Sequence, residues 1–517
     1  MAGRENSRSR TGGGSTTMNR HFRFFSVSLL ALAISGCAVT SEPISRAMSE
    51  QRARDDLAGM FRTQEPLTGE LTLNEATARA IKYNLEGRLK VMEEALAQRQ
   101  VDLATFDMLP RMALEAGYAG RNNVSASSSK SVLTNQQSLE PSTSQDRDRD
   151  VADLTMVWNV LDFGVSYVSA KQQADQRLII EERRRKVRQT IVQDVRSAYW
   201  RAVAAERLLG RIDGLMARVE QARKDSQNLS SQRIGDPVQA MGYQRSLIEA
   251  TRQLEAQRKA LSLAKTELAT LINLAPGTEV RLAMPADDYP LPELKVGMDS
   301  LEREALASRP ELREQDYQAR ISAAETKKAM LRLLPGLEFS AGGHYDSNSY
   351  LVNQSWADYG VKVTWNLFNV LSAPAAIKVA KAGEDVAAAR RQALSMAVLA
   401  QLYVANANYQ EARRQFQTSE ELASLDGQIT QELRNRRQAQ GIGELELIQG
   451  ELNNLQADLQ RDLAYAELRN AYGQVFASVG LDPLPAQLKS DSLADIGQAL
   501  ANREAQWQRG EIAAQPR

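Results

Sequence analysis

The sequence predicts a mainly α-helical protein with a small membrane β part, in which one helix–strand–strand–helical-hairpin unit occurs twice. The chain of 517 residues is rich in Ala, Gln, Arg, Glu and Leu, and only 6% of its residues are aromatic. This composition is typical of long packed helices. Two stretches, 154–164 and 361–370, instead alternate apolar and polar residues up to a Trp-Asn pair. A period of two indicates a strand with one apolar and one polar face.

The bulk composition excludes several classes of protein. The chain has 64 basic and 64 acidic residues, so no overall field favours a nucleic-acid partner. One cysteine and two histidines exclude a disulfide framework and leave too few ligands for a Cys/His metal centre. We therefore expect no metal and no cofactor. No run of eighteen apolar residues occurs, so no transmembrane helix is predicted.

The N-terminal region has the pattern of an exported protein. Residues 1–17 are expected to be an upstream extension, and 18–36 read as a signal peptide with a basic start, a short apolar run and small residues before the cut. The ending Ile34-Ser-Gly-Cys37 resembles the lipobox of bacterial lipoproteins, which implies cleavage before Cys37 and acylation of its thiol. The following Ala38 implies, by the same resemblance, that the product leaves the inner membrane. A plain signal peptide with an incidental cysteine is the alternative.

A polar N-terminal tether, 37–70, precedes the first repeat, and we expect little regular structure in it. The repeat itself covers 71–292. Its first helix begins with Leu-Thr-Leu-Asn-Glu-Ala, where Thr72 or Asn74 is expected to be the N-cap.

Pro110 ends this helical pattern, because proline cannot continue a helix and favours extended geometry in the residue before it. Alternation then predicts strands at about 111–120 and 152–161, joined by a polar loop of Asn, Ser, Gln, Asp and Arg. After the second strand we predict a helical hairpin over 165–273. No proline occurs between Gly164 and Pro237, so its first helix should be on the order of 100 Å long.

The return helix of this hairpin carries leucines at a seven-residue spacing, with small residues between them, which is the pattern of a coiled-coil seam. These positions are Leu247, Ala250, Leu254, Leu261, Ala264, Leu268 and Leu271.

The same order of elements returns in a second repeat, 293–485. Pro335 repeats Pro110 at a distance of 225 residues, and Trp365 repeats Trp158 at a distance of 207. The difference of 18 falls in the loop between the paired strands, where length variation costs little. We predict strands at about 336–345 and 359–368, a hairpin over 372–480 and a polar, weakly helical tail over 486–517. Two such copies indicate an internal duplication.

Strands of about ten residues are long enough to cross a bilayer when tilted. A β structure in lipid must close on itself, and four strands cannot do so, since the smallest bacterial barrels use about eight. Aromatic residues at both strand ends favour contact with lipid through two girdles. They are Trp158, Phe163, Trp365 and Phe368 at the helix ends, and Tyr118, Tyr345, Trp356 and Tyr359 toward the loop ends. Alternatively, the two tryptophans are core residues that cap a sheet.

Taken together, the order of elements, the Trp-Asn pairs, the Leu-Thr-Leu-Asn-Glu-Ala opening and the segment Arg309-Pro-Glu-Leu312 resemble the outer membrane efflux protein (TolC-like) family over about residues 71–485. The resemblance implies a homotrimer in which four strands from each chain form one twelve-stranded β-barrel. A long α-helical tunnel then continues the barrel through the periplasm. The lipobox makes the chain more similar to the lipidated branch of the family, the outer-membrane channels of tripartite drug-efflux pumps.

The family implies a passive channel in the outer membrane of a Gram-negative bacterium. Its expected partners are a periplasmic adaptor (membrane fusion) protein, an inner-membrane pump of the proton-driven RND or the ABC type, and outer-membrane lipid. No nucleotide loop, nucleophile elbow or metal-ligand cluster occurs, so no enzyme is predicted. The one histidine of the mature chain, His344, lies on a strand's polar face and cannot build a metal site alone.

The hairpin tips are the expected gate, because tips in the family are closed at rest and open when an adaptor docks. The candidate tip residues are Asp236, Gly441, Gly443, Glu444 and Glu446. Around a threefold axis each acidic residue becomes a ring that favours cations, and Glu446, together with Glu444, is expected to narrow the tunnel. Alternatively, Glu446 is a solvated charge on the helix exterior.

Three functional readings follow. The favoured one is an exit duct for small molecules or drugs, and a channel for type I protein secretion is its nearest rival. A lipid-anchored periplasmic coiled-coil scaffold that never forms a barrel is a rival of another class. An enzyme on a helical scaffold has no candidate residues.

Overall fold

The structure is a computed structural model that describes residues 41–231, 237–275, 277–284, 289–485 and 487–512. The extension, the signal peptide, Cys37 and Asp236 lie outside the described residues. The chain divides into two units at Thr63–Gln64, and each is described by itself. Among the described helices, none combines the length and the hydropathy that a membrane span requires.

Residues 41–63 contain a helix where the sequence predicted little regular structure. Helix α1, Arg46–Phe61, is capped by Ser45, whose hydroxyl accepts a hydrogen bond from the Met48 N–H at 3.3 Å. Pairs one turn apart, such as Arg46 with Glu50 at 2.8 Å, support it further. The prediction was wrong because it relied on the polar composition of the segment and its scattered Pro and Gly residues, whereas α1 is a polar helix without a buried residue.

The second unit opens with helices α2, Leu73–Tyr83, and α3, Leu85–Phe106. The predicted cap is confirmed, since the Thr72 hydroxyl accepts from the Glu75 N–H at 3.2 Å. The continuous helix expected up to Pro110 is divided at Asn84, whose side chain accepts from the Gly87 N–H at 3.1 Å and starts α3.

Four long antiparallel strands form one open sheet in the order β1–β4–β5–β6. Their bounds are β1 Arg111–Gly120, β4 Asp148–Asn159, β5 Gly336–Asp346 and β6 Ser355–Thr364. A two-residue ladder, β2 Ala126–Ser127 with β3 Ser142–Thr143, lies in the loop after β1.

Strands β4 and β6 begin and end earlier than predicted. They end early because the asparagine of each Trp-Asn pair starts a helix. The Asn159 side chain accepts from the Leu161 N–H at 2.9 Å, and that of Asn366 accepts from the Phe368 N–H at 3.1 Å. Each asparagine therefore acts as a helix cap, and the long helix begins within two residues of the strand end.

Two long helical hairpins follow these strands. The first consists of α4, Val160–Ser231, and α5, Pro237–Leu271; the second consists of α8, Leu367–Gln438, and α9, Glu444–Val479. At 72 residues each, α4 and α8 are on the order of 108 Å long. Helix α8 starts before the expected residue 372 and includes Pro374.

The predicted seam of the first hairpin is buried. Its leucines pack against α4, with relative exposures of 4% or less at Leu247, Leu254, Leu261 and Leu268. The apolar cluster that holds Leu247, Leu254 and Leu261 also includes the α9 residues Ile448, Leu452, Leu455 and Leu459, so the two hairpins share one core.

Three shorter helices complete the fold: α6 Met298–Ser308, α7 Pro310–Leu331 and α10 Leu493–Gln508. The C-terminal segment is more ordered than the weakly helical tail that we predicted. Helix α10 packs against α2 through an apolar cluster that includes Ile496 and Leu500, and Trp507 stacks on Phe476 with ring centroids 4.8 Å apart.

The helices lie beside one another in the same order as the strands that they continue. Helix α3 contacts α4, α4 contacts α7, and α7 contacts α8, which parallels β1–β4–β5–β6. Farther from the sheet, the hairpin layer has the order α5–α4–α9–α8. One layer of helices therefore continues one sheet, with β1, α3 and α5 at one edge and β6 and α8 at the other.

Candidate functional site

The sheet has one apolar and one polar face. The register places Leu114 opposite Leu154, Leu154 opposite Gly343, and Ala341 opposite Tyr359. Because paired residues point to the same side, one face carries Met112, Leu114, Leu154, Met156, Phe339, Tyr359, Val361 and Val363. These side chains are 39–93% exposed, so the apolar face is uncovered in the protomer.

The opposite face is polar and charged. Glu115 pairs across the strands with Asp153, Asp153 with His344, and His344 with Trp356. Two ion pairs flank this row: Arg149 with Asp346 at 2.7 Å and Lys362 with Glu338 at 3.9 Å. A sheet with one apolar and one charged face is able to separate lipid on one side from water on the other.

Most aromatic residues predicted for the girdles lie on or next to the apolar face. Trp158 contacts Phe163 and Phe339, with centroids 5.9 and 6.3 Å apart, and the Trp365 indole donates to the Leu333 carbonyl at 3.0 Å. Phe368 is 79% exposed in the first turn of α8. Pro110 and Pro335 directly precede β1 and β5.

At the loop end, Tyr118 and Tyr345 share the apolar face, whereas Tyr359 lies nearer the middle of β6. The structure corrects the prediction that Trp356 belongs to a lipid-facing girdle. The register puts Trp356 on the polar face, where its ring stacks on His344 with centroids 5.2 Å apart. The sequence pattern missed this since Trp356 precedes the clear alternation of β6.

Both sides of the protomer end in unpaired edges. In the described chain β1 pairs only with β4, and β6 pairs only with β5. The helices below these strands expose apolar side chains at 49–74%: Leu89, Met92, Leu96, Leu103 and Phe106 on α3, and Val379, Val386, Met396 and Val404 on α8. An unpaired strand edge beside an exposed apolar helix face is typical of a surface that binds another protein chain.

At the tip of the second hairpin, charged side chains join the two hairpins. Glu444, in the first turn of α9, accepts from Arg218 of α4 at 2.7 Å and from Arg437 of α8 at 3.2 Å. Arg218 also pairs with Glu451, which Arg434 contacts at 3.1 Å. Burial opposes ionisation of Glu444, but the two arginine hydrogen bonds outweigh it and lower the pKa of this carboxyl.

The other tip candidates are placed differently. Glu446 is exposed, and within the described part of the chain it has no ion pair. The Gly441 N–H bonds the Arg436 carbonyl at 2.9 Å, and Gly443 is the N-cap of α9. Among the described residues, an ion pair thus joins Glu444, but not Glu446, to the first hairpin. Sequence reasoning missed Arg218, because no local pattern distinguishes it among many helix arginines.

A second charged cluster lies at the middle of the hairpins and was also missed. Asp462 of α9 is 5% exposed and accepts from Tyr289, Arg207 and Arg461, the last at 3.1 Å. Burial raises the pKa of Asp462 despite the two arginines. Tyr289 belongs to the link between the repeats, so this cluster fastens that link to α4 and α9.

The cluster cannot be read from the sequence, because its members are far apart in the chain. In the described residues no group of three His, Cys, Asp or Glu side chains is arranged to hold a metal ion.

The comparisons with known proteins concern the fold. No protein-family model matches the chain, and no curated protein matches it. Solved structures do match: the CmeC outer membrane channel of Campylobacter jejuni has a TM-score of 0.62 at 13% identity, with 86% of this chain and 93% of that chain covered. CusC gives 0.61 at 18% identity, covering 81% and 95%.

The open state of the MtrE outer membrane channel of Neisseria gonorrhoeae gives a TM-score of 0.58 at 17% identity, covering 78% of this chain and 88% of that chain. The predicted class, mainly α with a small β part in a duplicated arrangement, is confirmed. The chain therefore has the TolC-like fold of these channel structures.

Proposed function

We propose that this protein is the outer-membrane exit duct of a tripartite export system, through which substrates pass passively. The observation that carries the proposal is the open sheet, apolar on one face and charged on the other, continued by a helical layer with the same two edges. The similar solved structures include proteins described as outer-membrane channels, which supports this choice. The proposed location is the outer membrane of a Gram-negative bacterium, with the helices in the periplasm.

The proposed working form is a homotrimer. Each unpaired backbone group would cost several kcal/mol in lipid, so the free edges of β1 and β6 have to be paired. Three copies, with β6 of one beside β1 of the next, would close twelve strands and set α8 against the α3 helix of its neighbour. The same contact would cover both the strand edges and the apolar helix faces, which supports one common interface.

An acyl chain on Cys37 is proposed as an additional anchor. It would add about 0.8 kcal/mol per buried methylene, and the barrel would provide the span itself. Mass spectrometry of the mature N-terminus tests the proposal, since a diacylglycerol-modified Cys37 is expected and an unmodified cysteine contradicts it. Loss of the anchor in Cys37→Ser should leave a folded channel, because the sheet and the shared hairpin core are built from residues much later in the chain.

For the cargo, small-molecule or drug efflux is the proposal, with a periplasmic adaptor and an inner-membrane pump of the RND or ABC type as partners. Type I protein secretion is the alternative. A deletion strain that becomes drug-sensitive supports efflux, and one that loses a secreted protein supports secretion.

The proposed gate is the tip of the second hairpin. Glu444 would hold the tip through Arg218 and Arg437, and Glu446 would project toward the axis and form a ring of three. Gly441 and Gly443 would form the turn between the helices, and Asp236 would occupy the tip of the first hairpin.

Reconstitution in planar bilayers tests the channel itself. We expect heat-modifiable trimers and stepwise conductance from the full-length protein. A periplasmic scaffold would give neither, because its strands would form a soluble sheet, so the absence of both would overturn the proposal. Val361→Arg, which puts a charge on the apolar face, should reduce insertion and serves as the comparison variant.

A further inference from the structure

A histidine near the loop end of the sheet's polar face contacts carboxylates from both neighbouring strands. Nδ1 of His344, on β5, is 2.6 Å from Oδ1 of Asp153 on β4, which is a hydrogen bond. Nε2 is 3.2 Å from Oδ2 of Asp358 on β6, which is an ion-pair distance. One ring therefore links three adjacent strands.

The surroundings hold this ring in place. Trp356 stacks on it with a centroid distance of 5.2 Å and an interplanar angle of 18°. Gly342 leaves the space that it needs, since a Cβ there would lie 2.5 Å from Nε2 and 3.0 Å from the Asp358 carboxylate. The side chain of His344 is only 16% exposed although it lies on the water-facing side of the sheet.

The geometry has a consequence for protonation. A neutral imidazole has one N–H and one lone pair, and the hydrogen bond to Asp153 uses the N–H. The lone pair of Nε2 would then face the Asp358 carboxylate, which is unfavourable. A second proton turns this contact into attraction. Histidine is the side chain whose charge ordinarily changes between about pH 5 and 8.

Other charges near the ring on this face are either paired or acidic. Glu115 lies beyond Asp153 in the same row, while Asp346 is neutralised by Arg149, and Glu338 lies opposite Lys362. Glu115, Asp153 and Asp358 thus contribute three carboxylates per protomer to one belt, and His344 is the basic group in contact with it.

We propose that His344 is a pH-responsive clip of the barrel. Protonated, it ties β4, β5 and β6 together and offsets part of the acidic belt; deprotonated, it releases Asp358 and leaves the lumen more negative. The inference rests on the proposed function, because a threefold barrel makes the polar face the lumen and repeats the belt three times.

The test uses the full-length protein in planar bilayers under a KCl gradient at pH 5.5 and 8.5. We expect the K⁺/Cl⁻ permeability ratio of wild type to rise about twofold with pH, because three imidazolium charges are lost from around nine carboxylates. The His344→Gln channel should keep one ratio at both pH values. The matched control, Lys362→Gln, removes a positive charge from the same face of the sheet and leaves His344 in place. It should therefore raise the ratio at both pH values and keep the pH response.

An equal pH response in wild type and His344→Gln, or no response in wild type, would overturn the clip while leaving the channel intact. If no variant conducts at any pH, the channel proposal fails instead. A second readout covers poor assembly of His344→Gln: wild-type trimers should dissociate on heating at lower temperature at pH 8.5 than at pH 5.5. The Asp358→Asn variant keeps the hydrogen bond between His344 and Asp153 but removes the second carboxylate. It should lose at least half of the difference in dissociation temperature between the two pH values, and an unchanged difference counts against the clip.

Discussion

Arg218, near the end of the first hairpin's long helix, donates a hydrogen bond to Glu444 in the first turn of α9 at 2.7 Å. The two residues are 226 positions apart and belong to different repeats. Their contact joins the two copies of the duplicated unit at the end opposite the sheet. Arg437 of α8 holds the same carboxylate, so Glu444 lies where three helices converge.

Removing the charge of Glu444 should loosen the tip. In Glu444→Gln two ion pairs become weaker hydrogen bonds, and partly exposed pairs of this kind contribute about 0.2–1 kcal/mol each. We expect the open probability to increase several-fold in single-channel records. Glu432→Gln, which breaks an exposed pair with Arg436 within α8, is the matched control and should behave as wild type. Equal open probability in both variants would exclude Glu444 as a latch.

Acid should have the same effect as this substitution. The lowered pKa of Glu444 means that its contribution to tip stability is complete above the usual value of 4.5 and is lost as the pH falls through the lower value of the folded protein. Wild-type open probability should therefore increase below pH 4.5, and that of Glu444→Gln should change less. An acid response of the same size in both proteins would assign it to other carboxylates.

Glu446 is predicted to act on passing ions and not on the tip's stability. It is exposed, and within the described residues it lacks an ion pair, so Glu446→Ala should leave the trimer's thermal stability within about 0.5 kcal/mol. A ring of three carboxylates would favour cations, and its removal should lower the K⁺/Cl⁻ permeability ratio. If conductance and cation preference both match wild type, Glu446 is a solvated charge on the helix exterior.

The sequence predicted local features well, because they depend on residues close together in the chain. Thr72 predicts a helix cap, and the Trp-Asn pairs predict where the strands end. The seven-residue spacing of leucines predicts the buried seam. It failed for α1, where a polar helix has no apolar period. It also failed for Trp356, whose face depends on the register with His344. Contacts such as Arg218–Glu444 and Tyr289–Asp462 arise only when distant helices pack together, and composition gives no sign of which arginine or tyrosine will meet which carboxylate.

A change of charge should impair folding at one of two adjacent residues on β6 and not at the other. Val361 lies on the apolar face and is 65% exposed, whereas Lys362 lies on the charged face. An arginine facing lipid near the bilayer midplane costs about 2–4 kcal/mol, so Val361→Arg should reduce folding into lipid vesicles, measured as the fraction of heat-modifiable trimer. Lys362→Gln should fold as wild type. Equal folding of both variants would show that the apolar face does not contact lipid.

Gly480 ends α9 in a conformation that other residues adopt at a cost. Its φ is +82°, and its N–H bonds the Ala477 carbonyl at 2.9 Å. A Cβ there would lie 2.7 Å from the Cα of Arg309. The Arg309 guanidinium in turn donates to the Ser478 carbonyl at 2.9 Å, so the backbone at Arg309 cannot move away without losing this cap.

Gly480→Ala should therefore combine the left-handed penalty with overpacking, about 2–4 kcal/mol in total. The first repeat has Asn273 at the corresponding position, with φ of +57°, and asparagine tolerates this region better than alanine. Gly210→Ala is the matched control: it lies inside α4, where a Cβ would meet nothing within 4 Å, and should stabilise by about 0.5–1 kcal/mol. Thermal unfolding of both variants decides the matter, because a Gly480→Ala protein as stable as Gly210→Ala would mean that the α9 end and the α6–α7 junction are not in contact.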